Sequence, residues 1–297
     1  MIKEFWHYLT TQTQLVEARK MGFLHEAIAM AARRERCFSA WQRHYQQCQQ
    51  AILRFINSFP ERESLVILGA GSLMDIPLPR LANEFQKVIL VDVVFLKESR
   101  ELASRYPNVE LVEREITGWC EPILNREVVK PSRVKATVVQ IEQAFLHTTE
   151  HATAGKNPKN AHFPSPAVQL VDIWAENRVS GVVSLNLITQ IPLIPVRWLM
   201  EKHQLPEALA GEVGKAIVQQ HLHFLQTQGS PVCLIADRED QEFNREGRVI
   251  DQWDPTWEVS LPEAESQWEW VVMPIGEYSK EKGQKNVVGV SFLSGAG

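Results

Sequence analysis

The sequence has few cysteines, little net charge and no long apolar run. Its four cysteines are scattered over 297 residues without a Cys-x-x-Cys pair, which favours reduced thiols in a cytoplasmic protein over a disulfide framework. A formal net charge of −5 disfavours a nucleic-acid partner, because phosphate binding favours basic surfaces. Without an apolar run of about 18 residues or a basic-then-apolar leader, we expect neither a membrane span nor a signal peptide.

Glycine is also sparse, but two glycines follow a short apolar run. Leu65–Leu68 leads into Gly69-Ala70-Gly71-Ser72, and the next apolar run, Val88–Val91, ends in Asp92. This pattern is typical of two parallel strands joined by a helix, with a nucleoside cofactor lying across the strand tips. Glycine lets the backbone turn sharply against a ligand, and the Asp92 carboxylate can accept hydrogen bonds from both ribose hydroxyls. Alternatively, that carboxylate caps the following helix.

The turn lacks a third glycine. A dinucleotide fingerprint, Gly-x-Gly-x-x-Gly, requires glycine at position 74, where this chain has Met74 followed by Asp75. The third glycine allows close packing of a helix whose N-terminus faces a pyrophosphate, and a carboxylate near that point repels phosphate. The turn therefore favours a cofactor with ribose and adenine but no phosphate, of which S-adenosylmethionine is the commonest. An NAD(P)-dependent oxidoreductase is the alternative.

These motifs resemble those of class I S-adenosylmethionine-dependent methyltransferases. The resemblance covers residues 60–297 and includes the later run Val182-Val183-Ser184-Leu185-Asn186. The chain departs from the family's usual pattern at the leading acid, where it has Leu65 or Val66, and at the third glycine, where it has Leu73. The resemblance implies S-adenosylmethionine as cofactor and methyl transfer to a small-molecule or protein acceptor. A non-catalytic, cofactor-binding member of the fold is a further alternative.

The resemblance also implies a set of site residues. The cofactor would be held by Gly69, Ala70, Gly71, Ser72, Asp92, Val93, Glu115, Ile116, Ser184 and Asn186. In this set Glu115 would bind the adenine amino group, and its alternative is a solvated loop charge. Asn186 would also be catalytic, because it resembles the amide of the Asn-Pro-Pro-Tyr signature of enzymes that methylate amino groups. The prolines and tyrosine of that signature are absent here, and a turn residue is the alternative.

Histidines supply the remaining chemical candidates. His221 is a candidate general base, since imidazole titrates near neutrality; a buried or capping histidine is the alternative. The run His147-Thr148-Thr149-Glu150-His151 matches the H-x-x-E-H pattern of zinc proteases. A glycine and a proline follow it closely, at Gly155 and Pro158, which favours a solvated helix end. We therefore predict no metal.

Strand and helix patterns alternate from Leu65 onward. Parallel strands are expected at 65–68, 88–91, 109–112, 179–185 and 232–236, and an antiparallel pair near 268–274 and 286–292. The expected fold class is α/β, with a Rossmann-like, mainly parallel sheet and a late antiparallel strand pair.

Two segments fall outside this alternation. Residues 1–59 are expected to form an N-terminal segment that is helical throughout. Its apolar stripe, which is either core packing or a lid, comprises Phe38, Trp41, Tyr45, Cys48, Ile52, Phe55 and Phe59. The domain at 60–297 carries an insertion at about 117–163 with a possible strand at 134–139. We expect both segments to wall the acceptor pocket. The basic cluster 33–36 either contacts an acidic substrate or is a solvated face.

Overall fold

An eight-stranded mixed sheet forms the centre of the fold in the part of the chain that the structure describes. The structure is a computed structural model that describes residue 11 and residues 13–150 and 165–295, without the side chains of 144–150. The strands are β1 Ser64–Leu68, β2 Lys87–Asp92, β3 Val109–Glu113, β4 Val179–Leu185, β5 Val232–Asn244, β6 Val249–Trp253, β7 Ser266–Met273 and β8 Lys282–Leu293. The helices are α1 Val16–Lys20, α2 Phe23–Ile56, α3 Leu78–Glu84, α4 Lys97–Ala103, α5 Cys120–Leu124, α6 Pro131–Glu150, α7 Pro166–Gln169, α8 Val171–Glu176, α9 Leu193–His203 and α10 Glu207–Thr227.

The strand order is β3-β2-β1-β4-β5-β8-β7, and β6 pairs with the outer part of β5. The first five strands of this order are parallel, whereas β8 runs antiparallel to both β5 and β7. A parallel strand that is covered on both faces needs a continuous apolar run. The strand β1, at the centre of the parallel part of the sheet, is buried at every residue and has such a run at Leu65–Leu68. The predicted fold class, a mainly parallel sheet with a late antiparallel pair, is confirmed.

The two faces of the sheet pack against different helices. On β4, Val183 and Leu185 belong to the core cluster that includes the α2 residues Trp41 and Ile52. Val182 faces the other way, into the cluster that contains apolar side chains of α10. This division follows from the alternation of side chains along a strand.

The long helix α2 contributes to the central core. The predicted stripe is buried at Trp41, Tyr45, Cys48, Ile52 and Phe55, whereas Phe38 is 46% exposed. The indole of Trp41 donates a hydrogen bond to the backbone oxygen of Val272 at 3.0 Å, which ties α2 to β7. The helical segment was predicted as unbroken, but α1 and α2 are separated at Gly22, and residues 57–59 are not helical. Residues 1–10 and 12 lie outside the described residues.

The described part of the insertion is helical, so the strand expected at 134–139 is wrong. Val134, Val138 and Ile141 are buried on one face of α6, a spacing of four and three residues that belongs to a helix. They pack with apolar residues of α9 and α10 in a cluster of their own. The side chain of His147 and the whole of His151 lie outside the described residues.

The hairpin β5–β6 was not expected. β5 continues for eight residues beyond Ala236, through a polar run rich in Asp and Glu, and β6 is exposed along its whole length. Such a run lacks the apolar pattern by which a core strand is recognised. Among the described residues, no helix combines the length and the apolar character that crossing a membrane requires.

Candidate functional site

A cavity of about 310 Å³ opens at the carboxyl ends of β1, β2 and β4. Ligands bind at this edge in open α/β sheets, and the volume lies at the lower end of the range for small-molecule sites. One face of α2 covers the cavity, and the loop before α9 closes its far side. Of the predicted site residues, the cavity brings together Gly69, Ala70, Gly71, Ser72, Asp92, Val93 and Asn186.

The turn after β1 requires glycine at two positions, for a different structural reason at each. Gly69 has φ +83°, and a Cβ there would lie 2.6 Å from the backbone oxygen of Leu185, so a larger residue would push β1 and β4 apart. Gly71 has φ +35°, and its backbone N–H donates to Asp92 Oδ2 at 2.8 Å. Ser99 Oγ donates to the Gly71 carbonyl oxygen at 2.9 Å. The turn is therefore fixed from both sides.

The Asp92 carboxylate connects the end of β2 to this turn. Besides its bond from Gly71, it accepts a hydrogen bond at Oδ1 from the backbone N–H of Val93 at 2.7 Å, and the backbone N–H of Val94 also donates to it. Burial raises the pKa of Asp92 to about 6, against the opposing effect of these hydrogen bonds. Each carboxylate oxygen has two lone pairs, so Asp92 keeps acceptor capacity for a ligand in the cavity that it lines.

The segment after the turn does not present a helix N-terminus to the cavity. Residues between Gly71 and α3 form turns, and the side-chain nitrogen of Gln49 donates to the backbone oxygen of Met74 at 2.8 Å, which ties this segment to α2. The side chain of Asp75 instead lines the cavity. Burial raises the pKa of Asp75 to about 6. The arrangement places a carboxylate where a dinucleotide-binding protein places backbone N–H donors.

Four polar side chains, which we call the His44 cluster, meet at one end of the cavity: His44, Cys48, Asp75 and Asn186. Asn186 Nδ2 lies 3.3 Å from Asp75 Oδ2, to which it donates, and 3.2 Å from His44 Nε2. Asn186 has φ +48°, an uncommon conformation for a residue other than glycine that is found at functional sites. The sequence pointed to Asn186 as a catalytic residue and to Asp75 only as a carboxylate beside the turn, and it did not point to His44.

The tautomer of His44 follows from its neighbour Trp268. The indole Nε1–H donates to His44 Nδ1 at 3.1 Å, and burial lowers the pKa of His44 to about 3, so the ring is neutral. A neutral imidazole that accepts at Nδ1 carries its proton on Nε2. The Nε2–H therefore faces the cluster, where Cys48 Sγ at 3.5 Å can accept it. The Asn186 amide nitrogen is itself a donor, so its 3.2 Å approach to Nε2 is a close contact and not a hydrogen bond. The ring stacks on Trp270 with centroids 4.0 Å apart.

The same hydrogen bond argues against a metal in the His44 cluster. Ligand atoms of His44, Cys48 and Asp75 lie within 4.8 Å of one another, a grouping that suits a metal ion. An imidazole that binds metal through Nε2 carries a proton on Nδ1 and donates it to an acceptor. Here Nδ1 faces the indole N–H of Trp268, which is a donor only. The donor set therefore does not fit a metal ion.

Glu115 and Ile116 lie outside the cavity lining, contrary to expectation. The Glu115 carboxylate accepts hydrogen bonds from the backbone N–H groups of Thr117, Gly118 and Cys120, at 2.6, 3.0 and 3.3 Å. It thereby satisfies the N–H donors that lead into α5. Ile116 is buried in the core cluster on the α10 side of the sheet. The expected adenine contact is thus corrected to a structural role.

Ser184 and His221 also lie away from the cavity, on the opposite face of the sheet. They are buried and contact each other, with Ser184 Oγ 3.0 Å from His221 Nε2. Burial lowers the pKa of His221 to about 3. Ser184 alternates on β4 with Val183 and Leu185, which face α2, so its side chain points to α10. The expectation of a cofactor contact and a general base at these positions is corrected.

The described part of the insertion does not wall the cavity either. Its apolar residues pack into the cluster with α9 and α10, and no residue from 117 to 143 contributes to the described lining of the cavity. The first half of α2 does form a wall, through residues spaced three or four apart such as Phe23, Ala27 and Met30. Of the two segments, the N-terminal one lines the cavity and the described part of the insertion does not; that the cavity receives an acceptor stays a prediction.

No protein-family model and no curated protein matches the chain. Among solved structures, the chain is similar to 1,6-didemethyltoxoflavin-N1-methyltransferase of Burkholderia thailandensis in complex with S-adenosylhomocysteine, at 11% identity over 91% of this chain and 90% of that one, with a TM-score of 0.34. It is also similar to the N-methyltransferase NodS of Bradyrhizobium japonicum, at 8% identity over 82% and 86% with a TM-score of 0.30. A third similar structure is the glycopeptide N-methyltransferase MtfA, at 12% identity over 83% and 93% with a TM-score of 0.30. These likenesses are too distant to carry an activity to this chain, which must be argued from its own residues.

Proposed function

We propose that the chain is an S-adenosylmethionine-dependent methyltransferase that acts on a small-molecule acceptor. The observation that carries this proposal is the pairing of Asp92 with Gly71 at the cavity edge. A carboxylate with spare lone pairs stands beside a turn whose glycine leaves room for a ligand. A ribose with two hydroxyl donors fits this pair. In the proposal the cofactor is held by the turn 69–72 together with Asp92 and Val93.

The segment between the glycine turn and α3 disfavours a dinucleotide as the cofactor. A pyrophosphate binds at the N-terminus of a helix that follows directly on the glycine-rich turn. Here α3 begins only at Leu78 and is seven residues long, and Asp75 lines the cavity in between. A pyrophosphate would therefore meet a carboxylate instead of backbone N–H groups. The positively charged sulfur of S-adenosylmethionine would instead be attracted to it.

The His44 cluster supplies the groups that handle the acceptor. S-adenosylmethionine, held by the turn 69–72 with Asp92 and Val93, would supply an electrophilic methyl group on its sulfonium sulfur. The acceptor's lone pair would form the new bond to that carbon, and the electron pair of the carbon–sulfur bond would stay on sulfur. Asp75, held by Asn186, accepts the proton that the acceptor's N–H or O–H group loses. His44 donates its Nε2–H to the acceptor and orients it. Because in-line transfer depends on alignment, such positioning contributes on the order of several kcal/mol to the rate enhancement.

A thermal-shift comparison tests the proposal. S-adenosylhomocysteine should raise the melting temperature of the wild-type protein, while NAD⁺ and NADP⁺ at the same concentrations should leave it unchanged, because ligands stabilise only the state that binds them. An Asp75→Asn variant separates an enzyme from a non-catalytic binding protein, since it should keep the shift with S-adenosylhomocysteine and lose methyl transfer. Stabilisation by NAD⁺ or NADP⁺ alone would favour the oxidoreductase instead.

A further inference from the structure

The side chains of the basic cluster 33–36, in the first half of α2, point to two different places. Arg33 and Arg36 both approach Glu277, with nitrogen–oxygen distances of 3.8 and 2.5 Å. Arg34 lines the cavity instead. In the part of the chain that the structure describes, its guanidinium has no ion-pair or hydrogen-bond partner. A guanidinium stays charged at any physiological pH, so the cavity holds a positive charge with unused donors.

The acidic side chains of the cavity are engaged elsewhere. Glu26 pairs with Arg197 at 2.8 Å, Asp92 accepts from three backbone N–H groups, and Asp75 accepts from Asn186. Glu98 is exposed at the rim. Arg34 interacts electrostatically with Asp75 and with the nearby Tyr45 hydroxyl, which places its charge toward the His44 cluster. A carboxylate on a ligand would find in Arg34 a planar fork for two hydrogen bonds.

Aromatic rings form the walls between Arg34 and the His44 cluster. Trp41 lies seven residues after Arg34, almost two turns and about 10 Å along the same face of α2. Its ring meets that of Trp270 edge to face, with centroids 5.3 Å apart, and Trp270 stacks on His44. Tyr45 also lines this part of the cavity. Such rings favour a flat, apolar ligand body.

We propose that the acceptor is an aromatic carboxylate. Its carboxylate binds the guanidinium of Arg34, its ring lies against Trp41 and Trp270, and its N–H or O–H group reaches Asp75. This assignment rests on the proposed function, because it identifies the acceptor of that reaction. The same carboxylate chemistry has a second source in the amino-acid end of S-adenosylmethionine itself, and the experiment below separates the two.

Calorimetric titrations with two matched probes test the assignment. Benzoate and its neutral isostere benzamide are each titrated into the wild-type protein, with and without saturating S-adenosylhomocysteine. Benzoate should bind about tenfold or more tightly than benzamide, the scale of hydrogen bonds to a charged group. Arg34→Gln should abolish this preference, and Arg34→Lys should keep only part of it because lysine lacks the planar fork. Arg36→Gln, which removes the same charge two residues along α2, should retain it.

The affinity for S-adenosylhomocysteine decides between the two sources of carboxylate. If Arg34 serves the acceptor, Arg34→Gln binds S-adenosylhomocysteine as the wild type does. A large loss of that affinity would assign Arg34 to the cofactor and overturn the proposal. Equal affinities of benzoate and benzamide for the wild type, or a preference that survives in folded Arg34→Gln, would overturn it as well. Failure of the wild type to bind S-adenosylhomocysteine refutes the proposed function separately, since the probe titrations without it still report on Arg34.

Discussion

Replacing Asp92 by asparagine tests the proposed ribose contact and separates it from the structural role of the same carboxylate. In the structure, Oδ2 accepts the N–H of Gly71 at 2.8 Å and Oδ1 accepts the N–H of Val93 at 2.7 Å. Asparagine has one acceptor oxygen, so one of these donors would face an amide NH₂ group. Leaving such a buried donor unsatisfied lowers the free energy of unfolding by about 1–3 kcal/mol.

The effect on ligand binding comes in addition to this loss of stability. A ribose hydroxyl loses a charged acceptor, and a hydrogen bond to a charged group contributes about 1.5–3 kcal/mol. The dissociation constant for S-adenosylhomocysteine should therefore rise about 10- to 150-fold, since each 1.4 kcal/mol is a factor of about ten. Titration calorimetry at pH 7.5 measures it, and thermal unfolding of the free protein measures the structural part.

The pH dependence of binding gives a second test of the ribose contact, because burial raises the pKa of Asp92 to about 6. Ribose hydroxyls donate to the ionised form, so binding is strongest above that pKa and weakens as the pH falls through it, by up to about tenfold per pH unit below. Asp92→Asn should remove the part of this pH dependence that belongs to Asp92. The control Asp251→Asn makes the same chemical change on the exposed strand β6 and should match the wild type. Unchanged affinity in a folded Asp92→Asn protein would refute the ribose contact. The role of Asp92 would then be limited to stabilising the turn through its backbone hydrogen bonds.

Three further predictions concern the turn and the His44 cluster. Gly69→Ala should lower the free energy of unfolding by about 2 kcal/mol or more, because alanine at this positive φ is strained and its Cβ would contact Leu185. Gly211→Ala, which has open space around it in α10, should raise the free energy of unfolding by about 0.5–1 kcal/mol. Chemical denaturation measures both, and equal effects would contradict the geometry. Trp268→Phe removes the indole N–H that holds His44 in its Nε2-protonated tautomer. ¹⁵N NMR of the ring nitrogens should then show a population protonated at Nδ1 that the wild type lacks. An unchanged spectrum would mean that Trp268 does not determine the tautomer. Once an acceptor is known, the turnover rate should rise with pH through about 6, because burial raises the pKa of Asp75 to that value and only the ionised form accepts a proton; a rate independent of pH between 5 and 7 would remove Asp75 from the reaction.

The sheet and the glycine turn were predictable because their signals are local. The apolar runs of β1 and β4 gave strand bounds within a residue of those observed, since buried parallel strands require such runs whatever the rest of the chain does. The turn at Gly69 and Gly71 and the position of Asp92 follow from the same local pattern. In contrast, the long polar half of β5 lacks an apolar face, and its pairing with β6 and β8 leaves no local signal.

The His44 cluster was not predictable because distant segments form it. His44 and Cys48 lie one turn apart on an apolar helix face, and the sequence pattern predicts only a packing role for a histidine at such a position. Only the packing of α2 against β7 brings His44 to Trp268, and only the path after Gly71 brings it to Asp75. Conversely, Glu115 had the right position after β3 for a ligand contact, but its carboxylate accepts the N–H groups of its own loop and lies outside the cavity lining. Whether a polar side chain faces the cavity, as His44 does, or bonds within its own loop, as Glu115 does, depends on tertiary packing.

A crystal structure of the complex with S-adenosylhomocysteine tests the central claim most directly. The proposal predicts both ribose hydroxyls within hydrogen-bond distance, about 2.7 Å, of the Asp92 carboxylate. It also predicts that the adenosine lies against the turn 69–72 and that the sulfur points toward Asp75 and Asn186. A ribose bound away from Asp92, or a sulfur that points away from the His44 cluster, would contradict the account.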